Sequence, residues 1–367
     1  MGSTHDAALS AALAERLRAN GIARMVDAVL RLAQPAIRLD LTRVDDEAEL
    51  ALGASKVGGA PDLPAATPWP ATSDGAPLPF IAQIRLADIA PLDTAGDLPH
   101  TGLLSFFYAI NQPDGHLRSG DDPTTWRVLW TPDDAAALSR RATPAALTDA
   151  LDSAFPACAV TFARRLTLPD VASFAIKQLG FTNAERLGYI TVVGGEDVGY
   201  LPEMDHRLLG YPYQLEPGVF TAAFTAVHGI EQPQFGMSVE AQVERQRAME
   251  HVQELAQQWR PPAEGYNDPD DVLRAIEDLS QRVDLGDLLH TVDVLQPKPT
   301  PEALAAQHRR AALDQQAEAE WRLLLQVYSN DEAQMDWAGG GVIHFAIERA
   351  ALATRDFSRV WVSLQFL

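Results

Sequence analysis

The sequence predicts an α/β protein of the α+β type, with a mainly antiparallel β core of two related halves and helices packed around it. Short apolar or alternating segments, separated by turns rich in proline and glycine, indicate antiparallel strands. Two pairs of these segments resemble each other, and long stretches with helical periodicity lie outside them. Apolar residues make up 47% and charged residues 22% of the 367 residues, which is typical of a chain that folds around a core.

The first predicted elements are helical. Residues 6–33 carry leucines four apart on one helix face, and Pro35 ends this segment because it lacks an N–H. We therefore predict an N-terminal helical extension over residues 1–35. The alternating segment 36–44, AIRLDLTRV, predicts a half-buried strand, and it begins the single domain predicted over residues 36–367.

A rigid loop is predicted next, at residues 52–70, LGASKVGGAPDLPAATPWP. Its prolines fix φ while adjacent glycines permit positive φ, so the loop can be irregular and still pack. Apolar strands follow at FIAQIRL, GLLSFFYAI and WRVLW. The segment 131–141, TPDDAAALSRR, predicts the start of a helix, because a threonine cap precedes two acidic residues.

The middle of the chain mixes both types. CAVTFARRLTL predicts a strand, DVASFAIKQLGF predicts a helix, and residues 203–218 form a second predicted loop rich in glycine, proline and tyrosine. Helical spacing then predicts a helical insertion at about 238–318, which either packs on the core or presents a partner surface. Residues 321–329, 340–348 and 359–367 are predicted strands rich in β-branched and aromatic residues.

An internal repeat is predicted from two pairs of strands. FIAQIRL before GLLSFFYAI resembles LLLQVYS before GGVIHFAI, and each pair carries one glutamine in its first strand, Gln83 or Gln326. A buried glutamine amide needs hydrogen-bond partners. Two interpretations follow: each glutamine holds its neighbouring loop, or both glutamines line a cleft shared by the two halves.

At these residues the sequence resembles the YwqG-like family, which is filed under a domain of unknown function. The stretches that carry the resemblance are VGGAPDLPAATPWP, GAPLPFIAQI, LPHTGLLSFFY, HRLLGYPYQ, LLLQV and WAGGGVIHFAI. They cover about residues 50–130, 200–220 and 320–367. The resemblance implies a single α/β domain built on a β-sheet with helices around it. It implies no established reaction, cofactor or catalytic residue.

Composition excludes several functions. A formal net charge of −21 repels polyanions, so nucleic acid is not an expected partner, whereas a basic protein is. The lone Cys158 excludes an internal disulfide or a cysteine-based zinc site and favours a reducing, cytoplasmic location. No apolar run is long enough for a membrane span. Phosphate-loop, zinc and calcium motifs do not occur, so no cofactor and no metal are predicted.

The expected role is that of a binding or interaction protein, first of all a protein-partner-binding module. The alternative is a small-molecule binder or enzyme, with a site between the loops at 52–70, 203–218 and 334–341; whether the protein is an enzyme stays open. In that alternative, polar and aromatic side chains suit a concave site, and His206 beside a carboxylate could act as a base. The candidate ligand-binding residues are Gln83, His206, Arg207, Tyr211, Gln214, Gln326 and Trp337.

Overall fold

The computed structural model describes residues 2–109, 123–132, 137–148, 154–171, 173–194, 205–213, 218–230, 246–247, 301–337 and 339–365. The chain divides into two compact units, residues 1–230 with 312–367, and residues 231–311. All of the described strands belong to the first unit. Most of the predicted insertion at 238–318 lies outside the described residues, so its role stays a prediction.

The β core is one ten-stranded sheet and one small two-stranded sheet. In chain order the strands are β1 (Gln34–Arg43), β2 (Lys56–Val57), β3 (Asp62–Pro64), β4 (Phe80–Arg85), β5 (Leu103–Tyr108), β6 (Trp126–Thr131), β7 (Leu138–Arg140), β8 (Cys158–Thr167), β9 (His206–Leu208), β10 (Trp321–Tyr328), β11 (Val342–Glu348) and β12 (Trp361–Gln365). The large sheet has the order β12-β11-β10-β9-β1-β8-β2-β4-β5-β6, and β3 pairs with β7. Every pairing is antiparallel, which confirms the predicted β core.

Helices surround this sheet, as the α+β class requires. The described helices are α1 (Gly2–Ala19), α2 (Val26–Leu32), α3 (Leu86–Ile89), α4 (Ala145–Thr148), α5 (Phe174–Lys177), α6 (Asn183–Gly194), α7 (Val219–His228), α8 (Pro301–Glu320) and α9 (Arg349–Ala353). Among these described helices none combines the length and apolar character needed to cross a membrane.

Three segments differ from their predicted structure. The predicted loop at 52–70 contains the short strands β2 and β3. The segment 131–141, predicted to begin a helix, contains β7, since backbone pairing with β3 outweighs the local capping signal. The predicted loop at 203–218 contains β9, which lies in the middle of the large sheet between β1 and β10. Strands of two or three residues are too short to show a periodic pattern, so sequence periodicity does not reveal them.

The strand order reads the same outward in both directions from the central β1–β8 pair. A short strand comes first on each side, β2 or β9, and two long strands and an edge strand follow it. The sheet curls so that its two edges meet: the Trp126 indole in β6 donates to the Val360 carbonyl, 2.8 Å away, just before β12. Inside the curl, the rings of Phe106 and Phe345 are in edge contact at 5.1 Å.

The two ends of the central strand pair are distinguished below. The upper end is where β1 ends and β8 begins, at the pair Arg43 and Cys158. The lower end is where β1 begins and β8 ends, at the pair Gln34 and Thr167. Beside the lower end, α1, α2 and α6 pack around a second apolar cluster that includes Leu17.

The approach of α6 to α1 depends on a glycine. A Cβ at Gly188 in α6 would lie 1.9 Å from the carbonyl oxygen of Asn20, next to the end of α1, so no larger residue fits without movement. Of these two helices, α1 also contacts β8.

Candidate functional site

The glutamines of β4 and β10 each hold a loop through both the oxygen and the nitrogen of the side-chain amide. Gln83 accepts a hydrogen bond from the Asp62 amide at 2.9 Å and donates to the Ala54 carbonyl at 2.7 Å. Its amide also donates to the Asp62 carboxylate at 2.8 Å. Because Gln83 is fully buried and its donors and acceptor are used, it has a structural role in the loop around Lys56.

Gln326 makes the corresponding bonds in the other half of the sheet. It accepts from the Tyr213 amide at 2.8 Å and donates to the Asp205 carbonyl at 3.1 Å. Gln326 faces Arg207 across the strands, just as Gln83 faces Lys56. The spacing along the chain is the same in both halves. The carbonyl that accepts from the glutamine belongs to the residue two positions before the facing Lys56 or Arg207, and the amide that donates to the glutamine belongs to the residue six positions after it.

The two held loops also share their backbone conformation. Gly58 and Gly59 have φ values of 69° and 73°, and Leu209 and Gly210 have φ values of 62° and 72°. Consecutive positive φ values are unusual outside glycine. The geometry agrees with the interpretation in which each glutamine holds its own loop.

The three loops that were expected to enclose one site do not all come together. Val57 pairs with Cys158, so the loop after β2 lies at the upper end. Leu208 pairs with Ile37, so the loop after β9, which carries Tyr211, lies at the lower end. Gln214 lies outside the described residues.

The third loop joins the first one. Trp337 is fully buried, and its ring meets that of Phe155 edge to face at 5.5 Å at the upper end. Trp69, from the first loop, instead packs against Phe107 in a small separate cluster. The structure therefore brings two of the three loops together and leaves the His206–Arg207 loop apart from them.

At the upper end, buried charges neutralise each other. The ammonium of Lys56, fully buried, lies 2.8 Å from a Glu47 oxygen and 3.5 Å from an Asp62 oxygen. Arg140 donates to Asp62 at 3.0 Å and also to two backbone carbonyls. Burial by itself raises the pKa of Asp62, but hydrogen bonds from Arg140, the Gly53 amide and Gln83, with the charge of Lys56, leave that pKa lowered.

An open cleft of about 340 Å³ lies beside this network, between the segments 43–47, 59–60 and 154–157, with Thr143. Two cations and two carboxylates form the network, and each cation pairs with a carboxylate. The network therefore suits a structural clamp on the loop between β1 and β4.

The lower end has a different set of ion pairs. Asp205 lies between two arginines, pairing with Arg165 in β8 and with Arg207 in β9, where the second ion pair is 3.2 Å long. Both guanidinium groups line a cavity of about 60 Å³ together with Arg16 from α1. Tyr211, one of the predicted residues, lines the same cavity.

Two buried polar atoms near this cavity have no hydrogen-bond partner within the described part of the chain: the Nε of Arg16 and the hydroxyl of Tyr328. The Tyr328 ring packs against Tyr213 at 5.8 Å, and Tyr213 lines the cavity. Burial raises the pKa of Tyr328, so its hydroxyl keeps its proton and remains a donor.

The histidines beside the site are uncharged at neutral pH. Burial lowers the pKa of His206 to about 4, and its Nδ1 accepts a hydrogen bond from the Tyr328 amide at 3.2 Å. Burial likewise lowers the pKa of His344, which faces Gln326 across β11, to about 3. His206 is therefore poorly suited to the general-base role considered from the sequence. Among the described residues there is also no group of three or more His, Cys, Asp or Glu side chains that could hold a metal ion.

Sequence reasoning found Arg207 and Tyr211 but missed Arg16, Arg165 and Tyr213. Arg16 lies in a helix rich in charged residues, and Arg165 lies in a strand with alternating apolar and polar residues. In both contexts an arginine normally faces solvent. Only the packing of α1 against the end of β8 brings them together.

The curled antiparallel sheet with two glutamine-held loops defines the class: an α+β protein with one large β core. Residues 55–365 match the family model described as "Domain of unknown function (DUF1963)". The chain therefore belongs to this family, which confirms the YwqG-like resemblance. A comparison with curated proteins finds no match.

Proposed function

We propose that this protein binds a small anionic ligand in the lower cavity. The observation that carries the proposal is the convergence of Arg16, Arg165 and Arg207, from three different elements, on one small space. Arginine presents several donors in a planar fork that matches carboxylate and phosphate oxygens.

The unpartnered donor of Arg16 supports the same proposal. A buried N–H without an acceptor costs about 1–3 kcal/mol, and more when the group is charged. An anion in the cavity would accept from such a donor and remove this cost. In the upper network, Lys56 and Arg140 each pair with a carboxylate.

The proposed activity is binding. The role of a protein-partner-binding module, expected from the acidic composition, stays a prediction, as do a basic partner and a cytoplasmic location. An enzymatic role through His206 is disfavoured by its low pKa.

The proposal is tested by isothermal titration calorimetry with acetate and inorganic phosphate at low salt. The variant is Arg16→Gln, and Arg18→Gln is its matched control, since Arg18 is exposed on the same helix. Loss of a charged hydrogen bond of about 1.5–3 kcal/mol predicts binding about 10- to 100-fold weaker for Arg16→Gln. The control is expected to bind within twofold of the unmodified protein. Absence of binding by either anion, or equal effects of both substitutions, refutes the proposal.

We also propose that the two halves of the sheet derive from one duplicated unit. The mirrored strand order and the matching bonds of Gln83 and Gln326 support this origin. It also accounts for the contact between Phe106 and Phe345, each of which directly follows the residue that faces a glutamine.

A further inference from the structure

We infer that the ligand of the lower cavity is a small α-amino acid in its zwitterionic form, an inference that rests on the proposed anion-binding function. The first reason is that side chains of both charges line this cavity. Arg16, Arg165 and Arg207 lie in its wall together with Asp170. An α-amino acid carries a carboxylate and an ammonium group on one carbon atom, so each group meets a side chain of the opposite charge.

The second reason is the carboxyl group of Glu318 in α8, which adds negative charge near Asp170. Burial, with the charges of Asp314 and Asp170, raises the pKa of Glu318 to about 7, so this group is partly ionised at neutral pH. Burial and the charge of Glu318 in turn raise the pKa of Tyr211, which lines the cavity. The carboxyl groups near the cavity therefore attract an ammonium group and repel a ligand that carries only negative charge.

The contacts that the charged groups make within the protein are compatible with this ligand. Arg165 and Arg207 pair with Asp205. These two arginines and Asp170 also have further interactions within the protein. A guanidinium group has several N–H donors and a carboxylate has several acceptor positions, so contacts to a ligand add to those already present. Because a zwitterion adds no net charge, the inference needs no unpaired charge in the cavity wall.

The third reason is the size of the cavity. A water molecule needs about 10–15 Å³ of such volume, so about 60 Å³ accommodates roughly four to six non-hydrogen atoms. Glycine and alanine have this size, whereas an amino acid with a longer side chain does not fit. Leu13, Val192 and Val193 give the wall an apolar part that suits the methyl group of alanine.

The test compares ligands on the intact protein by calorimetry at pH 7 and low salt. Glycine and L-alanine are the expected ligands, acetate lacks the ammonium group, methylamine lacks the carboxylate, and L-leucine has a longer side chain. Glycine is expected to bind about ten- to a hundredfold more tightly than acetate, because its ammonium group adds a hydrogen bond between charged groups. Methylamine is expected not to bind, and L-leucine is expected to bind more weakly than L-alanine by a factor of about ten or more.

A variant tests the acidic side of the cavity. Asp170→Asn removes the charge of the side chain while keeping its shape, and it is expected to weaken glycine binding about tenfold without weakening acetate binding. A general disturbance of the cavity would weaken the binding of both ligands alike. Asp27→Asn is the matched control, because Asp27 is exposed on α2, and it is expected to change neither. Circular dichroism verifies that both variants fold.

A second variant leaves Asp170 in place. At pH 8, where Glu318 is mostly ionised, Glu318→Gln is expected to weaken glycine binding about two- to threefold and to strengthen acetate binding by a similar factor. A displacement of α8 would instead change the binding of both ligands in the same direction. Glu320→Gln is the control, because Glu320 is exposed on the same helix, and it is expected to change neither.

The outcomes separate this inference from the proposed function. If acetate binds as tightly as glycine, or if Asp170→Asn weakens the binding of both alike, the cavity still binds anions and the amino-acid inference is wrong. If methylamine binds like glycine, or L-leucine like L-alanine, the inference of a small zwitterion is also wrong. If none of the carboxylates binds, glycine included, the proposed function itself fails.

Discussion

Replacing each loop-holding glutamine with methionine tests whether the two halves of the sheet use the same device. Gln83→Met and Gln326→Met keep the length of the side chain but remove its amide. Each change leaves one backbone N–H and one backbone carbonyl without their partner: those of Asp62 and Ala54 in one half, and those of Tyr213 and Asp205 in the other.

The expected loss of stability follows from these bonds. An unsatisfied buried N–H or carbonyl costs about 1–3 kcal/mol, and each variant leaves two such groups, so we expect each variant to lose about 2–6 kcal/mol of unfolding free energy. The value for Gln83 should lie at the upper end of this range, because its amide also donates to the Asp62 carboxylate. Since β4 and β10 are separated by four strands, roughly 24 Å along the sheet, the two losses should add in the double variant.

Urea unfolding followed by tryptophan fluorescence and circular dichroism measures these free energies. Gln316→Met is the control, because Gln316 is exposed on α8 and its side-chain amide donates to Glu320 in the same helix. Its effect should stay within about 0.5 kcal/mol. A loss below 0.5 kcal/mol at either buried glutamine would show that the bonds are not what holds the loops. A double variant far from additive would show that the two ends are coupled.

Two further changes are expected to alter stability. In Gly59→Ala the new Cβ would lie 2.3 Å from Glu47 at a φ of +73°, and we expect the free energy of unfolding in urea to fall by about 2–4 kcal/mol. Gly96→Ala is the control, because Gly96 has a φ of +67° and its new Cβ would have no atom within 4 Å, so its loss of about 1 kcal/mol measures the backbone strain alone. Equal losses in the two variants would contradict the steric argument. Burial, with the charges of Asp314 and Asp170, raises the pKa of Glu318 from 4.5 to about 7. Because the folded state holds this proton more tightly than the unfolded state, the free energy of unfolding falls as the pH rises from about 4.5 to about 7. Glu318→Gln should therefore stabilise the protein by about 1–2 kcal/mol more at pH 8 than at pH 5, allowing for partial exposure, and a gain independent of pH would contradict the assigned pKa.

The long strands could be predicted from sequence because their own side chains specify them. β4, β5, β10 and β11 are apolar runs bounded by turn residues, and each was predicted at nearly its observed position. The strands β2, β3, β7 and β9 were not predicted, since two or three residues carry no period and pairing with neighbouring strands stabilises their extended conformation.

The lower cavity shows the same limit. Arg207 and Tyr211 stood out in a glycine- and tyrosine-rich loop, but Arg16 and Arg165 reach them only through tertiary packing. The distance between the loops that follow β2 and β9 could not be predicted from the sequence. These loops are separate because β2 and β9 lead toward opposite ends of the β1–β8 pair.

The two glutamine-held loops thus have the same backbone arrangement but different charged side chains at the two ends of the sheet. The position facing each glutamine is basic in both halves, Lys56 and Arg207, but the residue six positions later is the carboxylate Asp62 in one half and Tyr213 in the other. Where Asp62 is present, its charge lies against Lys56 and the network is neutral. Where tyrosine stands instead, Arg207 and Arg165 both pair with Asp205. Because the backbone arrangement is otherwise the same, this difference in side chains, together with the three arginines that line the lower cavity, is the reason to expect anion binding at the lower end and a structural clamp at the upper end.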